Sequence, residues 1–322
     1  LNEKILTITF NPTVDAASET ERVQPTRKVR TFDESFHPGG GGINVARVIH
    51  RLGGDVTALY ARGGVMGAVL DHLLEERSVP YQTIEISGNT RINNVIHETS
   101  TGLEYRFVAE GPIFNDKDWQ KVVQACEQAS WTWLVVSGSL PRGIPVEIYD
   151  QLIESAKKRG GKIAIDTSGN ALKYVVNCGG ITLVKPSQGE FEAYAGRRFS
   201  SLADLAQMAQ SLVQQGVSEI IAVTLGHQGA VLASHETALY LPSPPVKVLS
   251  ASGAGDSFIA GMIYNLSKGE DLEQAFRLGV ACGSAAVMEK GTGLCQMANV
   301  KQLLQNLSPC QSAIVAMPLE EE

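Results

Sequence analysis

The chain is expected to be an α/β protein: a mostly parallel central sheet covered on both faces by helices, in a three-layer α/β/α sandwich. Two observations predict this. Short apolar runs rich in Val, Ile, Leu and Ala alternate with segments of helical periodicity through most of the 322 residues. Two stretches, 13–38 and 89–110, follow neither rhythm and read as short antiparallel strands outside the main sheet.

In chain order, strands are expected at Lys4–Phe10, Val56–Ala61, Trp133–Ser137, Lys162–Asp166, Ile181–Val184 and Glu219–Thr224. Their alternation with helical segments argues for a largely parallel sheet covered on both faces. Apolar positions three and four apart predict helices over Gly42–Leu52, Ala68–Arg77, Asp116–Ala129, Val146–Lys158 and Leu202–Gln215. Gly229–Ser234 and Ala238–Pro242 flank a short polar turn and read as a hairpin, followed by helices over Gly255–Lys268 and Asp271–Glu289. The domain is read as residues 1–308. The tail that follows, 309–322, ends in three glutamates and is expected to be weakly ordered.

Composition narrows the function classes. With 43% apolar and 19% charged residues the chain has material for an ample core. Its 27 basic and 34 acidic side chains give a net charge of −7, which argues against nonspecific nucleic-acid or membrane binding. An anionic substrate must therefore be attracted by local charges. Cys126, Cys178, Cys282, Cys295 and Cys310 are scattered with no CxxC, as in a reduced cytoplasmic protein, and Cys282 and Cys295 read as core filling. The six histidines show no metal-binding spacing, so zinc is not expected. No signal-peptide pattern opens the sequence and no apolar run approaches the roughly 18 residues of a membrane span, so the expected location is the cytoplasm.

Residues 250–261, Ser-Ala-Ser-Gly-Ala-Gly-Asp-Ser-Phe-Ile-Ala-Gly, carry the strongest signal. Gly253, Ala254 and Gly255 let backbone amides approach a ligand, and the helical run after them puts those amides at a helix N-terminus, a site for anions. A carboxylate beside a bound phosphate is repelled by it, so Asp256 is read as a general base for an attacking hydroxyl. Alone, this pattern is equally a helix start with Asp as its cap. A second run decides the matter: Phe36-His-Pro-Gly-Gly-Gly-Gly-Ile-Asn-Val-Ala-Arg47. Four glycines cost much backbone entropy and suit a backbone that comes close to a ligand. Asn44, in the first turn after them, can both donate to and accept from a sugar hydroxyl.

Together the two runs resemble the two signatures of the PfkB family of carbohydrate kinases, with the ribokinase-like fold. The likeness spans roughly residues 4–308. It includes Ile5–Asp15, Thr90–Asn93, Val136–Pro141, Asp166–Gly169, Val184–Glu190 and Val223–Ala230. Within the family it is nearest to the 6-phosphofructokinase branch, whose glycine run reads GGGGIN where 1-phosphofructokinases usually read GKGIN. The resemblance implies ATP-dependent, Mg²⁺-requiring phosphorylation of a ketohexose phosphate, with fructose 6-phosphate as acceptor. It also implies a monovalent cation such as K⁺ near Gly253–Asp256. Residues 13–38 and 89–110 would form a small β-sheet lid over the sugar, pairing with a second lid in a homodimer. Tagatose-6-phosphate kinase, 1-phosphofructokinase and a catalytically weak sugar-phosphate sensor remain alternatives.

The resemblance also implies roles. Asp15, Gly40, Gly41 and Asn44 would hold the sugar; as residue types alone, Asp15 is equally a turn former. Lys28, Arg91 and Ser139 would hold its phosphate, although a single Arg or Lys more often marks a solvated surface. Lys185, Ser187, Thr224, Gly226, Gly229 and Ser284 would line the nucleotide, with Ser284, Val280 and Val287 reading equally as helix core. Glu190 would hold Mg²⁺ through water. No GxxxxGK[ST] is present, so this is not a P-loop enzyme. Three departures matter. Ser187 replaces the family's Asn, and Ala251 stands where Thr or a related residue is usual. Gly189 lacks the basic side chain that relatives use in an inhibitory second nucleotide site, so ATP inhibition is not expected.

Overall fold

The computed structural model describes residues 3–313 and 319. From the N-terminus, β1 (Ile5–Thr9), β2 (Thr13–Thr20), β3 (Phe32–Gly39), α1 (Gly41–Arg51), β4 (Val56–Arg62) and α2 (Gly64–Glu75) lead to β5 (Tyr81–Glu85), β6 (Arg91–Glu98) and β7 (Leu103–Phe107). Then come α3 (Asp116–Gln128), β8 (Trp133–Ser137), α4 (Ile148–Lys158), β9 (Lys162–Asp166), α5 (Gly169–Val175), β10 (Ile181–Val184), α6 (Gln188–Ala195), α7 (Leu202–Gln214) and β11 (Ser218–Thr224). The chain continues through β12 (Ala230–Ser234), β13 (Ala238–Leu241), α8 (Ala254–Ser267), α9 (Leu272–Ala286), α10 (Met297–Asn306) and β14 (Gln311–Ser312).

Ten strands form the main sheet in the order β14-β13-β12-β11-β10-β9-β8-β1-β4-β5. From β11 to β5 all neighbours are parallel; β12, β13 and β14 add antiparallel pairs at one edge. Alternation along the central strands fills two separate cores. Leu6, Ile8, Leu134 and Val136 pack with Val122, Leu152, Phe191 and Leu205 of α3, α4, α6 and α7. Ile5, Trp133 and Val135 pack on the other face with Ile43, Leu70, Ile259, Phe276 and Val300 of α1, α2, α8, α9 and α10. Each such side chain contributes about 1.5–3 kcal/mol on burial, so both faces need helices to cover them.

Four further strands, in the order β3-β2-β6-β7, make the small second sheet. Residues 13–38 and 89–110 do supply it, but the expectation of purely antiparallel pairing is corrected: β2 and β6 run parallel over their whole length. Each leaves the main sheet after one of its strands, β1 and β5, so both head outward in one direction. Five elements were not foreseen. Among them α5 and α6 are short, at 7 and 8 residues, and β5 is a sheet edge. The tail also departs from expectation at its start: Gln311 and Ser312 pair with β13, and Ala313 is fully buried. Residues 314–318 and 320–322 lie outside the described residues.

Candidate active site

Strands β1, β8, β9, β10 and β11 run parallel, and most of the residues singled out above lie at or just beyond their C-terminal ends. Helix α8 starts one residue after Gly253, whose φ of 75° is in the left-handed region. A Cβ at Gly253 would also lie 2.4 Å from Leu294 Cδ2, so this turn demands glycine on two counts. The amides of Ala254, Gly255 and Asp256 are in the first turn, where N–H groups have no intrahelical acceptor and point outward.

Asp256 is half-buried. Its Oδ2 accepts from Asn44 Nδ2 at 2.9 Å, and its Oδ1 lies 3.3 Å from Ser137 Oγ. The same hydroxyl is 3.4 Å from Asp166 Oδ2, and Asp166 Oδ1 is 3.1 Å from Lys185 Nζ. Burial raises the Asp256 carboxyl above its ordinary value, opposed by Asn44, Lys185, Ser137 and Arg47. Burial likewise pushes Asp166 up to about 7 against the pull of Lys185, and Asp256 and Glu190 add to the rise. Burial works to lower Lys185, but Asp166, Glu190 and Asp256 outweigh it and hold the amine above its usual range. Three carboxylates thus share one ammonium, a local excess of negative charge.

That excess suits a divalent cation. Among the described residues no group of three acidic, His or Cys side chains is close enough to hold a metal by itself. The donor set fits Mg²⁺, which keeps several waters and borrows phosphate oxygens. Glu190 accepts from Ser187 N at 2.8 Å while Ser187 Oγ accepts from Glu190 N at 3.3 Å, a reciprocal cap on α6. Ser187 therefore supplies the N-cap hydrogen bond that an Asn would also make.

On the sugar side, Asp15 is 6% exposed, and its Oδ1 accepts from Asn93 Nδ2 at 3.1 Å. Burial raises its carboxyl, with Asn93, Thr292, Arg47 and Arg91 opposing. The glycine run is packed against protein. A Cβ at Gly41 would fall 2.3 Å from Ser137 Oγ and one at Gly40, where φ is 107°, 2.7 Å from Thr9 Cγ2. Arg91 donates to Ala109 O at 2.6 Å and Asn11 O at 2.9 Å, and its buried Nε has no hydrogen-bond partner. Asn11 Nδ2 donates to Glu110 O at 2.9 Å and is 3.5 Å from Ser139 Oγ. Arg91 and Ser139 are thereby joined through Asn11. Lys28 is not brought in: it is exposed on the connection between β2 and β3, with no hydrogen bond or ion pair to the described residues.

A cavity of about 600 Å³ opens on the other side of Gly255. Thr224, Gly226, Gly229, Ala254, Gly255 and Ser284 line it, as do Val280 and Val287. Sequence reasoning missed the segment from Ser243 to Val248, whose two prolines and valines close the wall. It also gave no role to Ser137, Asp166, Asn11, Asn93, Arg47 or Thr292. Ser137 and Asp166 are the last residues of β8 and β9, where open α/β sheets present ligand-binding groups, and that position was the available signal.

Similarity to known proteins gives the family. Residues 7–299 match the model of the pfkB family carbohydrate kinases. The chain is 40% identical over 306 residues to ATP-dependent 6-phosphofructokinase isozyme 2 of Escherichia coli (strain K12), covering 95% of this chain and 99% of that one. It is 32% identical to 1-phosphofructokinase of Bacillus subtilis (strain 168), covering 93% and 97%. Crystal structures of phosphofructokinase-2 from Escherichia coli, in complex with substrates and products and in complex with potassium, each superpose with a TM-score of 0.90 at 39% identity, over 94% of this chain and 99% of theirs. A ribokinase of Arabidopsis thaliana, complexed with ribose and ATP, shares the fold at 20% identity and a TM-score of 0.73, over 95% and 99%. The layered main sheet with its small second sheet is the ribokinase-like fold, and the chain belongs to the pfkB family of carbohydrate kinases.

Proposed function

We propose that this enzyme transfers the γ-phosphoryl group of ATP to a ketohexose phosphate, converting fructose 6-phosphate to fructose 1,6-bisphosphate. One observation carries the reading. Asp256, at the start of α8, is hydrogen-bonded to Asn44 of the glycine run on one side and follows directly on Ala254 and Gly255, which line the 600 Å³ cavity, on the other.

Asp15 and Asn93 orient the sugar, and Arg91 with Ser139 and Asn11 takes its 6-phosphate. Phosphate binding would draw the Arg91 guanidinium off the carbonyls of Ala109 and Asn11 and give its orphaned Nε a strong acceptor. Asp256 accepts the proton of the 1-hydroxyl as that oxygen attacks. The amides of Ala254, Gly255 and Asp256 stabilise charge on the transferring phosphoryl group, and Lys185 shares it. Glu190 and Asp166 would hold Mg²⁺ through water, and the ion would supply charge neutralisation for the nucleotide phosphates. A monovalent cation, K⁺ being the natural candidate, belongs close to the Gly253 turn. The second sheet covers the sugar and excludes water that would otherwise take the phosphoryl group.

The outer face of that sheet carries Phe36 and Phe107 at 51% and 54% exposure, flanking Ala16 and Asn94 in register. Such a patch calls for a cover, and we assign it to a second copy of the lid in a homodimer. Sedimentation velocity tests that assignment. Among the described residues no helix is long and apolar enough to cross a membrane. The scattered cysteines favour a cytoplasmic location, which cell fractionation tests.

The decisive experiment is ADP release with ATP–Mg²⁺ against fructose 6-phosphate, tagatose 6-phosphate, fructose 1-phosphate and fructose. A kcat/KM preference for fructose 6-phosphate is expected. Preference for fructose 1-phosphate or tagatose 6-phosphate would reassign the acceptor. Binding of the esters without turnover would make the protein a sensor.

A further inference from the structure

Arg47 has no part in the reaction described above, yet it is 1% exposed, among the most deeply buried large side chains of the protein. It stands three residues after Asn44 on the same face of α1. Its Nη1 donates to Asn44 Oδ1 at 3.0 Å and to Pro38 O at 2.8 Å, and its Nη2 donates to Thr292 O at 3.1 Å. Among the described residues no carboxylate lies in ion-pair contact with it. A guanidinium is costly to bury, and a core that only needed volume would use Leu or Met.

The three acceptors explain the placement. An Asn amide can be turned over with almost no change of shape, and its neighbours decide which end faces which way. With Arg47 donating to Oδ1, Asn44 must present Nδ2 to Asp256. Turned over, it would set its oxygen against a carboxylate and its NH₂ against a guanidinium. Arg47 also grips the carbonyls of Pro38, which opens the glycine run, and Thr292, whose buried hydroxyl faces Asp15 and helps hold its carboxyl down. The charged groups facing Arg47 are Asp15, Asp256, Arg51 and Arg77, and those facing Asp256 are Lys185, Arg47 and Asp166.

We infer that Arg47 is a positioning residue: through Asn44 it holds Asp256 in the one orientation that can take the sugar's proton, and through Thr292 and Pro38 it keeps that base in register with the Asp15 sugar pocket. This inference rests on the reading of Asp256 as the base.

The test is steady-state kinetics with fructose 6-phosphate and ATP–Mg²⁺ on Arg47→Gln, Arg47→Lys, Asn44→Ala and the double variant Arg47→Gln/Asn44→Ala, with the pH dependence of kcat. Arg47→Gln should lower kcat by about 10- to 100-fold, the scale of a misplaced reacting group, while KM for ATP stays within about twofold. The acid limb of kcat should move to higher pH, because Asp256 loses a cation that favours its ionised form. Arg47→Lys keeps the charge but not the fork, so kcat should fall with the limb unmoved. The double variant should be no slower than Asn44→Ala, as expected for residues acting in series.

Additive losses in the double variant would overturn the inference, as would wild-type kcat in folded Arg47→Gln. If Arg47→Gln does not fold, wild-type kcat in Arg47→Lys overturns it equally. Asp256→Asn separates the two readings. Near-normal turnover there removes the base assignment itself. Loss of turnover there, with Arg47→Gln unchanged in kcat and pH limb, removes only the role of Arg47.

Discussion

Replacing Gly42 by Ala probes how tightly the site depends on the packing of α1. A Cβ at Gly42 would lie 2.4 Å from Ile8 O and 2.6 Å from Thr9 Oγ1. Carbon–oxygen contacts settle near ~3.3 Å, so one partner must withdraw by about 1 Å. Strand β1 cannot: Ile8 is paired with Leu59 on one side and Val136 on the other. The helix start must move, and Asn44 is two residues along it. The Asn44–Asp256 hydrogen bond, now 2.9 Å, would stretch beyond hydrogen-bonding range. A displacement of that size costs about 100-fold in rate, or ~2.7 kcal/mol of activation free energy. Stability should respond less, by a net ~0–2 kcal/mol. Overpacking costs ~1–3 kcal/mol, but Ala in place of helical Gly returns ~1 kcal/mol. The assay is kcat for ADP formation at saturating substrates, with thermal melting on the same preparation. A kcat within threefold of the parent, at an unchanged Tm, would refute the claim that contact between α1 and β1 sets the Asn44–Asp256 geometry.

Further predictions follow from the same site. Asp256→Asn should lower kcat by about 100- to 10,000-fold while both substrates still bind, as isothermal titration would show. Because the folded state raises this carboxyl, its ionisation opposes folding above the unfolded value of 3.8, so the Asn variant should melt at the same or a higher temperature at neutral pH. Arg91→Ala should raise KM for the sugar phosphate at least ~10-fold, the worth of one charge-assisted hydrogen bond, with little effect on KM for ATP. Equal effects on both constants would move Arg91 out of the sugar site. Asp166, which burial raises to about 7, gains a proton as pH falls through that value, so Mg²⁺ affinity measured by isothermal titration should weaken between about pH 8 and pH 6. The same pH dependence of Mg²⁺ affinity in Asp166→Asn would assign that titration elsewhere.

Much of the fold was legible because buried parallel strands are written as continuous apolar runs. β8, β9 and β10 begin and end at the residues read from sequence. The direction of lid pairing was not, since alternation along β2 and β6 has the same form whether neighbours run parallel or antiparallel. Helix α6 passed unseen, with only 8 residues, although its Ser187–Glu190 cap was visible as a pattern. In the site, glycine runs and flanking polar residues pointed to Asp256, Asn44 and the cavity wall. Arg47 gave no such signal, because a basic residue on an amphipathic helix reads as surface until its tertiary acceptors, Pro38 and Thr292, are known. Lys28 shows the reverse: the motif context drew attention to a side chain that its own chain leaves in solvent.

The small sheet is made by two excursions, residues 13–39 and 91–107, that leave after β1 and β5 and return to the same layered body. The proposed phosphoryl-transfer turn, from Gly253 to Asp256, belongs to that body and to neither excursion. On the proposed roles, three of the acceptor's contacts, Asp15, Arg91 and Asn93, lie in stretches of sequence separate from the phosphoryl-transfer turn. Those contacts can be rewritten in the two insertions while the ten-stranded sheet and the start of α8 stay unchanged.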